Sequence, residues 1–305
     1  MLKTIAIVTL LVRQLAPVEG AYREHLDYRT VQRGEISAEL AGAWDSPGMS
    51  GRDYVLMGPA SGAEVYLRFV KAASRRETVR PFMTHGWNAT EILVEDPDLL
   101  ARRLAGSPFR VIGPPADLLT TTDSPRAMQV LGPAGELLYF TRIIPGGSGF
   151  DLGAASVPVD RVFITVVGGP SLAELRRFYG QVLGLPLGDD LHWRIDVLAR
   201  AHRLPLDTKF PLAVAILPRD FLVEMDEYPA GATPRKASRG GPPPGMAIVT
   251  FTADSLDGTT VQWRSPPRAV ADFPYRGRRV AVTVGPAGEW VEVVETPAEP
   301  GSTLR

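Results

Sequence analysis

The chain has 305 residues, of which 45% are hydrophobic and 22% charged, so it is long enough for two globular domains of about 150 residues each. Its formal net charge of -1 gives no electrostatic reason to expect a nucleic acid or a membrane surface as a partner. Cysteine is absent, which excludes disulfides, thiolate nucleophiles and cysteine-based zinc sites. Only four histidines occur.

The first segment, MLKTIAIVTLLVRQLAP, combines Lys3 with a short apolar run and so imitates a secretory signal. Arg13 follows the run at once and no A-x-A-like cleavage site is present, which favours a buried strand. No apolar run in the sequence reaches the roughly 18 residues that a membrane span needs.

In chain order, four segments begin with an apolar run typical of a strand and continue into a helical pattern. They are IAIVTLLV with APVEGAYREHL, ATEILV with DPDLLARRLAG, RVFITVV with SLAELRRFYGQVLGL, and AIVTFTA with the degenerate DSLDG. Further short strands follow each opening, so the chain is predicted to contain four βαβββ modules. The phrase GPAGE occurs twice, followed by Tyr139 in one copy and Glu292 in the other, and indicates an internal repeat.

A stretch without periodicity, PGGSGFDLGAASVP, separates the second module from the third and is predicted to be a linker. The predicted organisation is a first domain at 1–145, a linker at 146–157, a second domain at 158–298 and a flexible tail at 299–305. Each domain is expected to hold two consecutive modules in one curved sheet. A second flexible piece, PAGATPRKASRGGPPPG, joins the third module to the fourth.

The paired modules, the phrase RRFYGQVLGL after a first strand, and strand-final phrases such as GPAGEWVEV resemble the vicinal oxygen chelate superfamily. That superfamily includes glyoxalase I, bleomycin-resistance proteins and extradiol dioxygenases, and the four-module arrangement is most similar to the two-domain dioxygenases. The resemblance spans nearly the whole chain. It implies an α+β fold of two tandem glyoxalase/dioxygenase-like domains with curved mixed sheets. It also implies a divalent metal held by inward residues of the first and last strands.

The positions that match the family's metal ligands carry no histidine. On the first strands they are Ile7, Ala89, Arg161 and Ile248, and on the closing strands Arg68, Tyr139, Glu224 and Glu292. An arginine cannot ligate a cation, so the first domain is expected to hold no metal. Glu224 and Glu292 lack the imidazoles that iron and zinc sites favour. We therefore expect neither metal nor cofactor, with a weakly held divalent ion at these two carboxylates as the open alternative.

Glu91 lies two residues after Ala89 on the same strand and is predicted to face the cavity of the first domain. Burial raises the pKa of such a carboxyl toward the range of a general base, whereas Arg68 nearby would lower it. With Tyr139 as a hydroxyl donor, the trio Glu91, Arg68 and Tyr139 suits proton abstraction next to a carbonyl. The structural alternatives are a buried Glu91–Arg68 ion pair and a core role for Tyr139.

Five further residues are candidates for substrate binding in the first cavity: Trp44, Trp87, Asn88, Gln129 and His85. The two tryptophans can stack on a planar ligand, and His85 immediately precedes a cavity strand. The candidates for the second-domain cavity are Arg161, Glu224 and Glu292. Two amphipathic segments, ISAELAGAW and RIDVLARAHRLP, are predicted to cover the two cavities.

These features favour a metal-independent enzyme, a lyase, isomerase or cyclase that acts on a small, largely apolar or aromatic carbonyl compound. One alternative is a non-catalytic binding or sequestration protein of the bleomycin-resistance type. The other is a metal-dependent enzyme of the extradiol-dioxygenase or glyoxalase type. The expected location is the cytoplasm and the expected partner a small molecule, with no nucleic acid or membrane; a homodimer is left open.

Overall fold

The computed structural model describes residues 2–72, 79–147, 149–237 and 240–296. The described part forms two eight-stranded mixed sheets, and the predicted α+β class is confirmed. The predicted tail at 299–305 lies outside the described residues. The strands are β1 (Leu2–Val12), β2 (Arg29–Glu35), β3 (Asp53–Gly58), β4 (Tyr66–Lys71), β5 (Gly86–Val94), β6 (Arg110–Asp117), β7 (Arg126–Leu131), β8 (Leu137–Arg142), β9 (Val159–Gly169), β10 (Leu191–Arg194), β11 (Lys209–Leu217), β12 (Phe221–Glu227), β13 (Gly245–Ala253), β14 (Arg268–Ala269), β15 (Arg279–Val284) and β16 (Trp290–Glu295).

The helices are short, and three of them begin at side-chain caps, one of which is Ser171, whose hydroxyl accepts a hydrogen bond from Glu174 N. Ser37 accepts a hydrogen bond from Leu40 N, and Asp96 precedes Pro97 and accepts from two backbone N–H groups of the first turn. Within the described ranges no helix is long and apolar enough to cross a membrane. The helices are α1 (Leu15–Leu26), α2 (Ala38–Ala43), α3 (Pro97–Arg103), α4 (Leu172–Arg176) and α5 (Asp196–His202), and a π-helical turn at Arg177–Val182 extends α4.

The modules do not pair in sequence order. One sheet has the order β14-β15-β16-β13-β1-β4-β3-β2 and joins the first module to the fourth, whereas β10-β11-β12-β9-β5-β8-β7-β6 joins the second to the third. The prediction that consecutive modules share a sheet is therefore wrong. After β8 the chain continues into β9, which pairs with β5. The free edge of β1 therefore pairs with β13. An unpaired central edge would leave buried backbone groups without hydrogen bonds.

The core has three parts. The largest packs the sheets against each other and against α1 and α4, and includes Phe69, Trp87 and Phe251. A smaller core lies against α2 on the face of the first sheet, and another lies against α5 on the face of the second. These two helices lie in the segments predicted to cover the cavities, and they pack on the two sheet faces.

The two GPAGE phrases occupy equivalent hairpin turns, between β7 and β8 and between β15 and β16. In each turn the fourth residue of the phrase has a positive φ, +84° at Gly135 and +80° at Gly288, which favours glycine. The repeat seen in the sequence is thus a repeat of structure.

Candidate functional site

The strand register places four side chains at the centre of each sheet's concave face. We call these faces the Arg68 cup and the Glu91 cup. In the Arg68 cup, Thr9 pairs with Arg68 and Thr250 with Glu292; in the Glu91 cup, Glu91 pairs with Tyr139 and Val166 with Glu224. Three of these residues, Thr9, Glu91 and Thr250, thus lie two residues after the predicted first-strand positions. Those predicted positions are Ile7, Ala89 and Ile248.

Arg161 does not belong to either set of four. It lies five residues before Val166 on β9, where its guanidinium is 3.3 Å from a carboxylate oxygen of Asp220 and stacks over Phe221. The prediction that Arg161 belongs to the same cavity as Glu224 is wrong, because the register sets Val166 opposite Glu224.

The predicted catalytic trio is divided between the cups. Glu91 and Tyr139 are direct neighbours across β5 and β8, whereas Arg68 lies on β4 in the other sheet. The predicted Glu91–Arg68 ion pair is therefore absent. Glu224 and Glu292 are separated in the same way, so the fold does not bring these two carboxylates around one ion. All of these differences follow from the pairing of non-consecutive modules.

Protein side chains fill the Arg68 cup. The Arg68 guanidinium donates from Nε to Thr9 Oγ1 (3.0 Å) and from Nη1 to the Tyr275 hydroxyl (2.8 Å), and its Nη2 is 3.9 Å from Glu292 Oε1. Glu292 Oε1 accepts from Thr250 and Tyr275 at 2.7 Å each, and Oε2 accepts from Trp44 Nε1. Most of the polar groups at the base of this cup thus bind one another, but Arg68 Nη2 is buried without a hydrogen-bond partner among the described residues.

Trp44 closes the same cup. Its indole is fully buried, and the Arg68 guanidinium lies 5.0 Å from the ring centroid. The side chain predicted to stack on a ligand therefore stacks on Arg68 instead. A permanently protonated guanidinium in the position of a metal ligand does not fit a divalent cation.

The Glu91 cup holds a buried carboxyl without a cationic partner. Glu91 accepts a hydrogen bond from Thr141 Oγ1 at 2.5 Å and is 6% exposed. Burial, together with the nearby charge of Glu224, raises the pKa of Glu91 to about 8, and the Thr141 bond acts in the opposite direction. This carboxyl holds its proton at neutral pH.

Asp226 and Tyr228 complete a polar cluster that the sequence interpretation missed. Asp226 shares a hydrogen bond with Glu224, and burial raises the pKa of Asp226 to about 7 and that of Glu224 well above its usual range. Asp226 Oδ1 and the Tyr228 hydroxyl are buried and have no hydrogen-bond partner among the described residues. The signal was present: Glu224 and Asp226 lie two residues apart on β12 and so share one face, and Tyr228 follows two residues later, directly after the strand.

The wall of the Glu91 cup is apolar. Residues of β5, β9 and β11 meet α5 there, among them Ala89, Val166, Phe210 and Leu198. Gln129 is half-buried beside this cup, opposite Tyr139 on the neighbouring strand. The cup combines apolar surface with a few convergent polar groups, which is the usual composition of a small-molecule site.

The other predicted binding residues lie outside both cups. Trp87 is fully buried in the core between the sheets and donates from Nε1 to Trp290 O at 2.8 Å, so its predicted stacking on a cavity ligand is wrong. Asn88 donates to the carbonyls of Thr84 and Gly86. His85 is 7% exposed, and burial, with Arg235 nearby, lowers its pKa.

The Glu91 cup does not supply the donors of an iron or zinc site. Val166 has no ligating atom, and no imidazole is present at the other three positions. In the part of the chain that the structure describes, no group of three or more His, Asp or Glu side chains could hold a metal ion. The donor set of this cup therefore does not fit an iron or zinc ion.

Solved structures confirm the fold predicted from the sequence. Glyoxalase I from Zea mays is 13% identical with a TM-score of 0.63, over 96% of this chain and 92% of that one. A putative dioxygenase from Bacillus subtilis is also 13% identical, with a TM-score of 0.61, over 97% of this chain and 86% of that one. The chain therefore has the vicinal oxygen chelate fold in its four-module form. No protein-family model and no curated protein matches the sequence.

Proposed function

We propose that the Glu91 cup is the working site of a metal-independent enzyme that moves a proton on a small, largely apolar or aromatic carbonyl compound. The observation that carries this proposal is the cluster of three carboxyls, Glu91, Glu224 and Asp226, in an apolar cup. Asp226 Oδ1 and the Tyr228 hydroxyl have no partner in the described residues. Buried polar atoms without partners are rare in native proteins, and a bound substrate would supply the missing hydrogen bonds.

The cluster contains the acid and the base that such a reaction needs. Glu91 is protonated at neutral pH and donates a hydrogen bond to the carbonyl oxygen of the substrate. The ionised member of the Glu224–Asp226 pair takes the proton from the adjacent carbon. Tyr139 and Tyr228 stabilise the resulting enolate through their hydroxyls. Return of the proton to another carbon gives an isomer, and loss of a leaving group gives the product of a lyase.

The test uses protein that has first been treated with a chelator. Exchange of the α-hydrogens of small aryl ketones in deuterated water is then followed by NMR. Glu91→Gln preserves size but cannot donate an acid proton, so exchange should fall by a factor on the order of 10² to 10⁴ while ketone binding persists. The matched control is Glu289→Gln, another buried carboxyl with a pKa raised to about 8, which lies outside the cup. Exchange should survive this change.

The pH dependence gives a second readout. Exchange should rise as Asp226 ionises near pH 7 and fall as Glu91 loses its proton near pH 8, so the profile should be bell-shaped. Equal losses in Glu91→Gln and Glu289→Gln, or dependence on added metal, would contradict the proposal.

The binding protein is the second candidate, and the apolar wall of the cup favours it. In that case aryl ketones would bind to wild type and to Glu91→Gln alike, and neither protein would exchange α-hydrogens above the rate in buffer. Binding without exchange would therefore assign the cup to sequestration.

A further inference from the structure

A cavity lies outside both cups, at the junction of the two sheets. Its volume is about 680 Å³, within the range of small-molecule sites. The end of β1, the start of β13, part of β5 and the turn at 133–136 form its wall. Val12, Val18 and Met246 contribute apolar surface, and the side chain of Arg235 lines the cavity.

Arg235 brings an uncompensated positive charge to this cavity. Its guanidinium donates to Thr84 Oγ1 (3.0 Å), Met246 O (2.9 Å), Pro244 O (3.4 Å) and Asn88 Oδ1 (3.2 Å), all of them uncharged acceptors. No carboxylate among the described residues forms a salt bridge with it. A guanidinium has five N–H groups, so these four bonds leave one N–H of Nη2 available.

The surroundings of Arg235 make an anionic partner favourable. Burial lowers the pKa of Arg235 to about 10, as expected for a cation that is removed from water without a counter-charge. Glu136 also lines the cavity, but its two oxygens accept from the Tyr22 hydroxyl and Ala134 N. Arg13 lies exposed at the rim, where it can attract an anion.

We propose that this junction cavity binds a small organic monoanion, a carboxylate with an apolar body, whose charged group pairs with Arg235. One half-buried cation and one available N–H match a single carboxylate better than a dianion such as phosphate. The apolar side of the cavity accommodates the rest of the molecule. This site is separate from the Glu91 cup and does not depend on the function proposed there.

Benzoate is a suitable probe, with benzyl alcohol as its uncharged counterpart and inorganic phosphate as an anion without an apolar body. Benzoate should bind in a calorimetric titration and raise the melting temperature of the wild-type protein, and the other two should do so much less. Arg235→Gln should weaken benzoate binding at least tenfold. Arg161→Gln removes a paired arginine elsewhere and should leave binding unchanged.

Two further variants keep the test decisive if Arg235→Gln does not fold. Ala134→Trp places a large side chain on an exposed position of the cavity wall and should reduce benzoate binding without lowering the melting temperature. Glu91→Gln should bind benzoate as the wild type does, which distinguishes this cavity from the Glu91 cup. Equal binding of benzoate and benzyl alcohol, unchanged binding in Ala134→Trp, or loss of binding in Glu91→Gln would overturn the proposal.

Discussion

The glutamates of the two GPAGE phrases, Glu136 and Glu289, make the same pair of hydrogen bonds. In each case one carboxyl oxygen accepts from the backbone N–H two residues earlier, at 2.8 and 2.9 Å. The other oxygen accepts from a tyrosine of the preceding module's helical segment, Tyr22 at 2.8 Å and Tyr179 at 3.3 Å. The phrase thus fastens each hairpin turn to a helical segment of the module before it.

The same carboxyls explain the first glycine of the phrase. A Cβ atom at Gly132 would lie 2.1 Å from Glu136 Oε1, and one at Gly285 would lie 1.9 Å from Glu289 Oε1. Any other residue would displace the carboxyl from its position. A phrase that looks like surface turn chemistry is therefore a structural motif, with its glutamate fully buried at Glu289 and half-buried at Glu136.

Removal of either tyrosine hydroxyl should weaken the fold. Tyr22→Phe and Tyr179→Phe each leave a buried carboxyl with one hydrogen bond fewer, so the free energy of unfolding should fall by about 1 to 2 kcal/mol in each. Urea denaturation measures the change. Tyr228→Phe is the matched control, because the Tyr228 hydroxyl has no partner in the described residues and its removal should cost nothing. Equal losses in all three variants would contradict this assignment.

At the level of elements, α2 and α5 occupy equivalent places but are fixed to very different degrees. The end of α2 is held by Ser265 Oγ, which donates to the carbonyls of Gly42 and Ala43, and by the Trp44–Glu292 hydrogen bond. For α5, the side-chain bond to the rest of the chain, among the described residues, is that of His202 Nε2 with Phe82 O, at 2.9 Å. The Glu91 cup therefore has the more easily displaced cover.

A substitution can test whether the Trp44 side chain fills the Arg68 cup. Trp44→Ala should lower the free energy of unfolding by about 3 to 5 kcal/mol, because it leaves a large cavity and removes a donor from Glu292. Indole should fill that cavity and recover part of the loss in a thermal melt, and it should not stabilise the wild type. A variant that melts like the wild type, or that indole does not rescue, would show that Trp44 does not fill the cup.

For the whole molecule, buried carboxyls dominate the expected pH dependence of stability. The folded-state pKa is raised to about 8 for Glu91 and Glu289 and to about 7 for Glu136 and Asp226, above the ordinary values of 4.5 and 3.8. Between the unfolded and folded pKa values the native state binds more protons, so stability falls as pH rises. The lowered pKa of His85 acts in the opposite direction. Several carboxyls with lowered pKa values also do so, at pH values below their ordinary range: Glu19, Asp27, Asp98, Asp160, Asp257 and Glu295.

The free energy of unfolding should accordingly be greater at pH 5.5 than at pH 8.5, by several kcal/mol. Urea denaturation across this range provides the measurement. Glu289→Gln should flatten the profile, because amide and protonated carboxyl have similar hydrogen-bonding capacity and the amide does not titrate. A profile that rises toward pH 8.5 would show that these carboxyls are ionised in the fold.

The four modules could be predicted from the sequence because the pattern within each module is local. Apolar strand openings, helical periodicity and the two GPAGE turns depend on residues close together in the chain. The inward direction of Glu91 also followed from the period of two along one strand. Applied to β12, the same rule would have placed Asp226, and Tyr228 directly after the strand, in the Glu91 cup.

The pairing of the modules was decided only in the tertiary structure. Each module presents a similar first strand with one free edge, so the local pattern fits either partner, and the edge that closes depends on the path of the chain between modules. That choice separated Arg68 from Glu91 and Glu224 from Glu292, and it created the junction cavity at Arg235. The polar groups of each cup are brought together by contacts between residues far apart in the chain, such as Trp44 with Glu292. The local periodicity of the sequence does not encode such contacts.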